Sequence, residues 1–255
     1  MVRLTGIFNK HYTLEMLESY LKQRQELLKH NFSYRCKILI IDDDINSDKY
    51  PLHEELELLR SSNEYNITVK TDLQDLNDAA VYDLIICDNQ GIGLKICGSA
   101  GNGISLLKAL TSEYPGKRYV MLSNQDIKIN RLTAFSKLSN KISVWDKDDL
   151  AWQYSHNGEG GLTDLIKKEV SLTLNPIERW KEIRRSFVIN TNINLYDLAR
   201  IEEAYIKSII KNKASIYENS VNKLATPDDE NGRISSYLKA TKAVIEFSIA
   251  ILSVL

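Results

Sequence analysis

Two apolar runs that stop abruptly on acids constrain this chain more than any other feature of its sequence. Lys37-Ile38-Leu39-Ile40-Ile41 gives way to Asp42-Asp43-Asp44, and Tyr82-Asp83-Leu84-Ile85-Ile86-Cys87 gives way to Asp88. A run that is apolar at successive positions, rather than at every second one, fits a strand covered on both faces, as strands of a parallel sheet are. The charges then begin where the strand leaves the core. Tyr119-Val120-Met121-Leu122, ending at Ser123, repeats the pattern, as does Lys141-Ile142-Ser143-Val144-Trp145, which leads into Asp146-Lys147-Asp148. Asn66-Ile67-Thr68-Val69-Lys70 supplies a shorter alternating strand.

Helical spacing fills the gaps between these runs. Leu52, Leu56 and Leu59 fit a helix opening near Pro51, where a proline is tolerated in the first turn. Further helices are expected over 104–114, 127–137 and 162–174, with a brief one in the polar stretch after residue 70. Strands alternating with helices at intervals of about 20 to 40 residues imply right-handed crossovers between parallel strands. Residues 36–175 are therefore expected to form an α/β unit, a doubly wound five-stranded parallel sheet. Residues 1–35 read as an N-terminal helical extension, with Leu14, Leu17, Leu21 and Leu28 at helical spacing. From Pro176 on there is no strand signal, and 176–255 reads as an all-helical C-terminal region with helices over 177–188, 195–217 and 234–255. The breaker cluster Thr226-Pro227-Asp228-Asp229-Glu230-Asn231-Gly232 separates the last two.

Composition narrows the function classes. The 255 residues carry 33 basic against 34 acidic side chains, a net charge of -1, which disfavours a protein built to coat nucleic acid. Hydrophobic residues at 43% and charged residues at 26% fit a globular chain with a sizeable core. Cys36, Cys87 and Cys97 form no CxxC pair, which argues against a zinc site or disulfide framework, and the two in or beside apolar strand-like runs read as small buried hydrophobes. The first ten residues hold no apolar signal-peptide core, which makes the cytoplasm the expected compartment. The apolar stretch 243–255 is interrupted by Glu246 and falls short of the roughly 30 Å of hydrocarbon, so no membrane span is expected and the stretch reads as a buried or partner-facing helix.

In an open parallel sheet, ligands bind outside the carboxyl ends of the strands, where loops and helix N-termini collect. Four strands here end in Asp42-Asp43-Asp44, Asp88, Ser123 and Lys147. Converging carboxylates repel one another, and a hard divalent cation with oxygen ligands resolves the repulsion, which points to magnesium. A hydroxyl and an ammonium facing the same point suit a tetrahedral oxyanion: Ser123 donates to one oxygen and Lys147 neutralises another. Asp88, at the centre, is then the nucleophile for phosphoryl transfer. Taken singly, each residue has a plainer explanation, an acid as a helix cap or a lysine in a solvated loop. The order along successive strand ends is what carries the argument.

On these residues the segment from about Cys36 to Leu174, a little over half the chain, resembles the receiver domain of two-component response regulators. The resemblance rests on Ile40-Ile41-Asp42-Asp43-Asp44, on Tyr82-Asp83-Leu84-Ile85-Ile86-Cys87-Asp88, on Met121-Leu122-Ser123 and on Trp145-Asp146-Lys147. It implies that Asp42, Asp43 and Asp88 hold Mg2+, that Asp88 accepts a phosphoryl group from a histidine kinase or histidine phosphotransfer protein, and that Ser123 and Lys147 engage that group. The gap of 46 residues between Asp42 and Asp88 (88 minus 42) fits the family. It also implies a signalling switch or phosphate sink that acts through protein contacts, with phosphorylation changing the contacts of the helical tail or of the first helix.

Departures from the family pattern are specific. Asp148 stands where receivers carry a proline after the lysine, Val144 where they carry an aromatic switch residue, and Asn124 where they favour a small residue. The segment from Gly91 to Gly103, with Gly93, Gly98 and Gly101, is longer than the family's turn, lacks the Lys and hydroxyl of a P-loop, and reads as a flexible insertion beside the site, a lid or docking surface. Two alternatives stand beside the receiver reading. One is a phosphorylation-independent binding module on the same fold; the other is a haloacid-dehalogenase-like phosphatase with Asp42 as nucleophile, whose motif would want glycine where Ile45 stands. In the tail, Arg179, Lys181, Arg184 and Arg185 surround Trp180 but alternate with Glu178 and Glu182, and read as a solvated helix face. The apolar last helix reads as bundle core or as a homodimer surface through the C-terminal helices.

Overall fold

The structure is a computed structural model that describes residues 11–28, 35–45, 47, 50–62, 64–123, 142–157, 160–224 and 232–253. The helix expected over 127–137, Asn124 and the breaker residues 226–231 lie outside the described residues.

Five strands form one sheet: β1 (Lys37–Ile41), β2 (Asn66–Lys70), β3 (Leu84–Cys87), β4 (Arg118–Ser123) and β5 (Ile142–Asp146). All four pairings are parallel, in the order β2-β1-β3-β4-β5. The helices are α1 (Leu14–Leu28), α2 (His53–Ser61), α3 (Leu94–Cys97), α4 (Gly103–Glu113), α5 (Lys147–Asn157), α6 (Leu162–Leu174), α7 (Pro176–Asn190), α8 (Leu195–Ile210), α9 (Ser215–Val221) and α10 (Arg233–Ser253), with a 3-10 turn at Leu76–Ala79.

Because successive strand residues point to opposite faces, the continuous apolar runs divide between two cores. Ile38, Ile40, Leu84, Ile86, Val120 and Leu122 pack with Leu56 and Leu59 of α2, Leu150 of α5, and Leu162, Leu165 and Ile166 of α6. Leu39, Ile41, Ile85, Cys87, Tyr119 and Met121 pack on the other side with Leu106, Leu107 and Leu110 of α4. Cys36 and Cys87 are buried, and Cys97 is half-buried.

A third core joins the two ends of the described chain. Leu17 of α1 packs with Trp180 and Phe187 of α7, Ile201 and Tyr205 of α8, and Val244 and Ile245 of α10. The helix expected over 195–217 breaks in two at Asn212, whose φ of 52° is left-handed. None of the large hydrophobics exposed among the described residues lies on α10, so its apolar face is core here. Among the described residues no helix is long and apolar enough to cross a membrane.

Two tethers tie the helices to the sheet. The carboxylate of Glu55 on α2 accepts from the backbone N–H groups of Leu162 (2.8 Å) and Thr163 (2.6 Å), capping α6 from a residue over 100 positions away. At the N-terminal edge of the sheet, buried Arg118 of β4 pairs with Glu169 of α6 and, through Nη1 at 2.7 and 2.8 Å, with both oxygens of Glu182 on α7. Arg179 reaches the carbonyls of Gly116 (2.7 Å) and Lys117 (3.3 Å). The solvated-face expectation therefore fails for Arg179, which is buried, and for Trp180, which is in the core. It holds for Lys181, Arg184 and Arg185, which are exposed.

Candidate functional site

The site lies at the opposite edge, where the strands end. Ile41 and Cys87 are in register on neighbouring strands, and the Asp88 N–H donates to the Ile41 carbonyl at 2.8 Å, so Asp42 and Asp88 leave the sheet side by side. Ser123 is paired in register with Asp146, one residue before Lys147. Parallel register thus brings residues over 100 positions apart to a single edge.

Lys147 joins the carboxylates. Its Nζ is 2.7 Å from Asp42 Oδ2 and 2.8 Å from Asp88 Oδ1. Asp42 is fully buried, while Asp88 and Lys147 are each 7% exposed, which makes this an internal cluster rather than a surface ion pair. Burial pushes the Asp42 carboxyl above its ordinary value against the pull of Lys147. For Lys147, burial works against the charge, but the bonds to Asp42 and Asp88 outweigh it and hold its pKa above the ordinary value.

The third acid, Asp43, is exposed, yet single oxygens of Asp42, Asp43 and Asp88 lie within 4.8 Å of one another. Its carboxyl is also shifted upward, by burial against the loop and then by Asp44. Gly91 explains the crowding. Its φ is +67°, and a Cβ there would lie 1.9 Å from Asp43 Oδ2, so the backbone of the glycine-rich segment presses directly on this carboxylate. At the other end of that segment, a Cβ on Gly103 would lie 1.9 Å from the Asp88 carbonyl oxygen, so α4 begins hard against the end of β3.

The glycine-rich segment, expected to be a flexible insertion, is anchored at several points. Ile92 is fully buried in the core, Gly93 N–H donates to Asp72 Oδ1 at 2.7 Å, and Asn102 and Ser105 form a reciprocal cap on α4. Short α3 sits within it.

Of the residues expected from the sequence, Asp42, Asp43, Asp88 and Lys147 come together, and Ser123 is buried at the end of the strand beside Asp88. Lys147 is not the solvated loop lysine of the plain reading: it is the first residue of α5, whose N-terminus is capped by Asp146 Oδ1 accepting from the N–H groups of Asp148 (2.8 Å) and Asp149 (3.1 Å). The signal for this helix was present as an Asp followed by two more acids in a first turn. Val144, where the resemblance would want an aromatic residue, is exposed on β5.

Sequence reasoning missed Tyr50. Its ring is buried, its hydroxyl donates to Asp42 Oδ2 at 3.0 Å, and Lys147 Nζ lies 5.6 Å from the ring centroid. Burial and then Asp42 hold the Tyr50 pKa well above ordinary, which keeps the proton on the hydroxyl. A lone tyrosine before a proline carries no motif, and only the fold reveals it.

The donor set suits a hard divalent cation: three carboxylates converge with one oxygen each within 4.8 Å of the others. No protein-family model and no curated protein matches the chain.

Proposed function

We propose that residues 36–175 form an atypical response regulator receiver that accepts a phosphoryl group on Asp88. The observation that carries this reading is Lys147 bridging Asp42 and Asp88 at 2.7 and 2.8 Å beside the Asp43 carboxylate. The strand order β2-β1-β3-β4-β5 supports it, being that of the flavodoxin-like doubly wound fold, in which ligands sit beyond the strand ends.

Asp42, Asp43 and Asp88 would hold Mg2+, which would offset the charge of the incoming phosphoryl oxygens. Asp88 keeps 7% exposure where Asp42 has none, with one oxygen accepting from Gln90 N–H at 3.1 Å and the other paired with Lys147. In the transfer, an Asp88 oxygen forms the new P–O bond as the P–N bond to the donor histidine of a kinase or phosphotransfer protein breaks. The electron pair leaves with the imidazole, which is protonated. Lys147 and Ser123 then serve the phosphoryl oxygens. The phosphatase alternative asks Asp42 to attack, and its position weighs against that: it is fully buried, Oδ1 accepts from Asp44 N–H at 3.1 Å, and Oδ2 is taken by Tyr50 and Lys147.

One observation favours a second reading. Lys147 already pairs with two of the three carboxylates, a partnership that needs no cation, as suits a phosphorylation-independent binding module. Acetyl phosphate or beryllofluoride with magnesium separates the two. The receiver gains the mass of one phosphoryl group, a gain absent from Asp88→Asn, whereas the binding module shows neither mass change nor metal-dependent conformational change.

A further inference from the structure

Asp42 has no access to solvent, so in the cation-free site its oxygens depend on protein partners. Oδ1 is held by the Asp44 N–H at 3.1 Å. Oδ2 has two partners of different kinds: the Lys147 ammonium at 2.7 Å, on a flexible stem, and the Tyr50 hydroxyl at 3.0 Å, on a ring fixed in the core. Tyr50 is also fixed through its backbone, since its N–H donates to the Ser47 carbonyl at 2.9 Å and Pro51 follows it.

Phosphoryl transfer changes what Lys147 must do. In the resting site its ammonium is shared between Asp42 and Asp88, and once a phosphoryl group sits on Asp88 the ammonium is drawn to the new oxygens. Asp42 Oδ2 would then lose its ammonium partner, and, apart from the cation that the three acids would hold, the Tyr50 hydroxyl is the donor that stays on it where water does not reach.

We propose that Tyr50 is a positioning residue of this site, the standing donor to Asp42 Oδ2 that allows Lys147 to leave Asp42 for the phosphoryl group on Asp88. The proposal rests on the receiver reading. Tyr50 touches neither the donor nor the phosphorus; it acts through Asp42, holding that carboxylate in one rotamer while its second partner changes. The cation–π approach of Lys147 to the same ring, at 5.6 Å, keeps the ammonium within reach in both arrangements.

The test is a double-mutant cycle on the full chain, reading phosphoryl uptake from acetyl phosphate at saturating magnesium by intact mass. The reaction forms the Asp88 P–O bond as the phosphate–acetate bond breaks and acetate leaves. Tyr50→Phe keeps the ring and removes the donor, and should slow uptake about tenfold, the weight of one hydrogen bond to a charged group. Its magnesium Kd should stay within about threefold. In a Lys147→Met background there is no ammonium to release, so Tyr50→Phe should slow uptake no further, whereas a merely structural tyrosine would give additive losses. Uptake by Tyr50→Phe at the wild-type rate, or additivity, overturns the role of Tyr50 alone; absence of uptake by the wild-type chain overturns the receiver reading and this proposal with it. A measurement without any variant stands beside these: in a structure of the wild-type beryllofluoride complex, Tyr50 Oη should remain within hydrogen-bond distance of Asp42 while Lys147 Nζ does not, and the reverse arrangement refutes the assignment.

Discussion

The two edges of the sheet hold two buried ion clusters, and they are built on opposite principles. At the N-terminal edge, two guanidinium groups, Arg118 and Arg179, meet two carboxylates, Glu169 and Glu182, and the charges balance. At the C-terminal edge, one ammonium, Lys147, faces Asp42, Asp43 and Asp88, and they do not. A charge-balanced cluster among packed helices serves the fold, even though Glu169 Oε1 and Arg179 Nε find no hydrogen-bond partner in it. An unbalanced one has unfilled capacity for positive charge, and that imbalance, more than the presence of buried charge, marks the functional edge. The shifts at the balanced edge divide: Arg118 gains more from Glu182 and Glu169 than it loses to burial and ends above its ordinary value, while burial leaves Arg179 below its own. At the other edge burial raises both Asp42 and Asp43, a strain that a cation would relieve.

The largest effect should come from breaking the balanced edge. Arg118→Met leaves Glu169 and Glu182 without their main partner and is expected to lower stability by about 3–5 kcal/mol. Urea unfolding measures this, and a loss below about 1 kcal/mol would show the cluster to be dispensable. Saturating the unbalanced edge acts in the other direction. Magnesium at about 100 times its Kd should stabilise the wild-type chain by about 2.7 kcal/mol, with little effect on Asp88→Asn or Asp43→Asn, whose donor sets are incomplete. Gly91→Ala comes next: its left-handed φ of +67° alone costs about 1–2 kcal/mol, and the added Cβ must displace Asp43, so the variant should lose magnesium affinity as well as melting temperature.

The smallest effect is the most discriminating. Asp42 and Asp43 have folded-state values above the ordinary carboxyl value of 3.8, so the folded chain binds their protons more tightly than the unfolded chain does. Their contribution to stability is therefore fully present below the ordinary value and is lost as pH rises through the raised values. Magnesium needs the same groups ionised, so its binding should weaken as pH falls through that window. Calorimetric melting of the apo chain and magnesium titration should show opposite pH slopes there, and Asp43→Asn should flatten both. Parallel slopes would mean that these carboxyls are not the ones the cation uses.

Much of the sheet was legible because strands buried on two faces write an unbroken apolar run, and an acid marks where each leaves the core. Lys37–Ile41 and Leu84–Cys87 lie within the runs the sequence shows, and the helix expected over 162–174 is α6 to the residue. What stayed hidden depends on contacts between distant residues. Glu55 caps α6 across the fold, Arg179 meets carbonyls that no helical periodicity reveals, and Tyr50 reaches Asp42 only once β1 and α2 are in place. Asp42, Asp88 and Lys147 could be named from their strand ends. Their sharing of one ammonium could not, since strand order and register decide which side chains meet.

The packing of α1 sets an order of events in synthesis. Leu17 is buried in one core with Trp180, which comes 163 positions later (180 minus 17), and with Val244, later still. At about 5–20 residues per second, the first helix waits on the order of ten seconds or more for its partners, with its apolar side uncovered. A fragment ending after α6 would never cover it, so a shortened chain intended to isolate the sheet should begin after α1 or keep the tail.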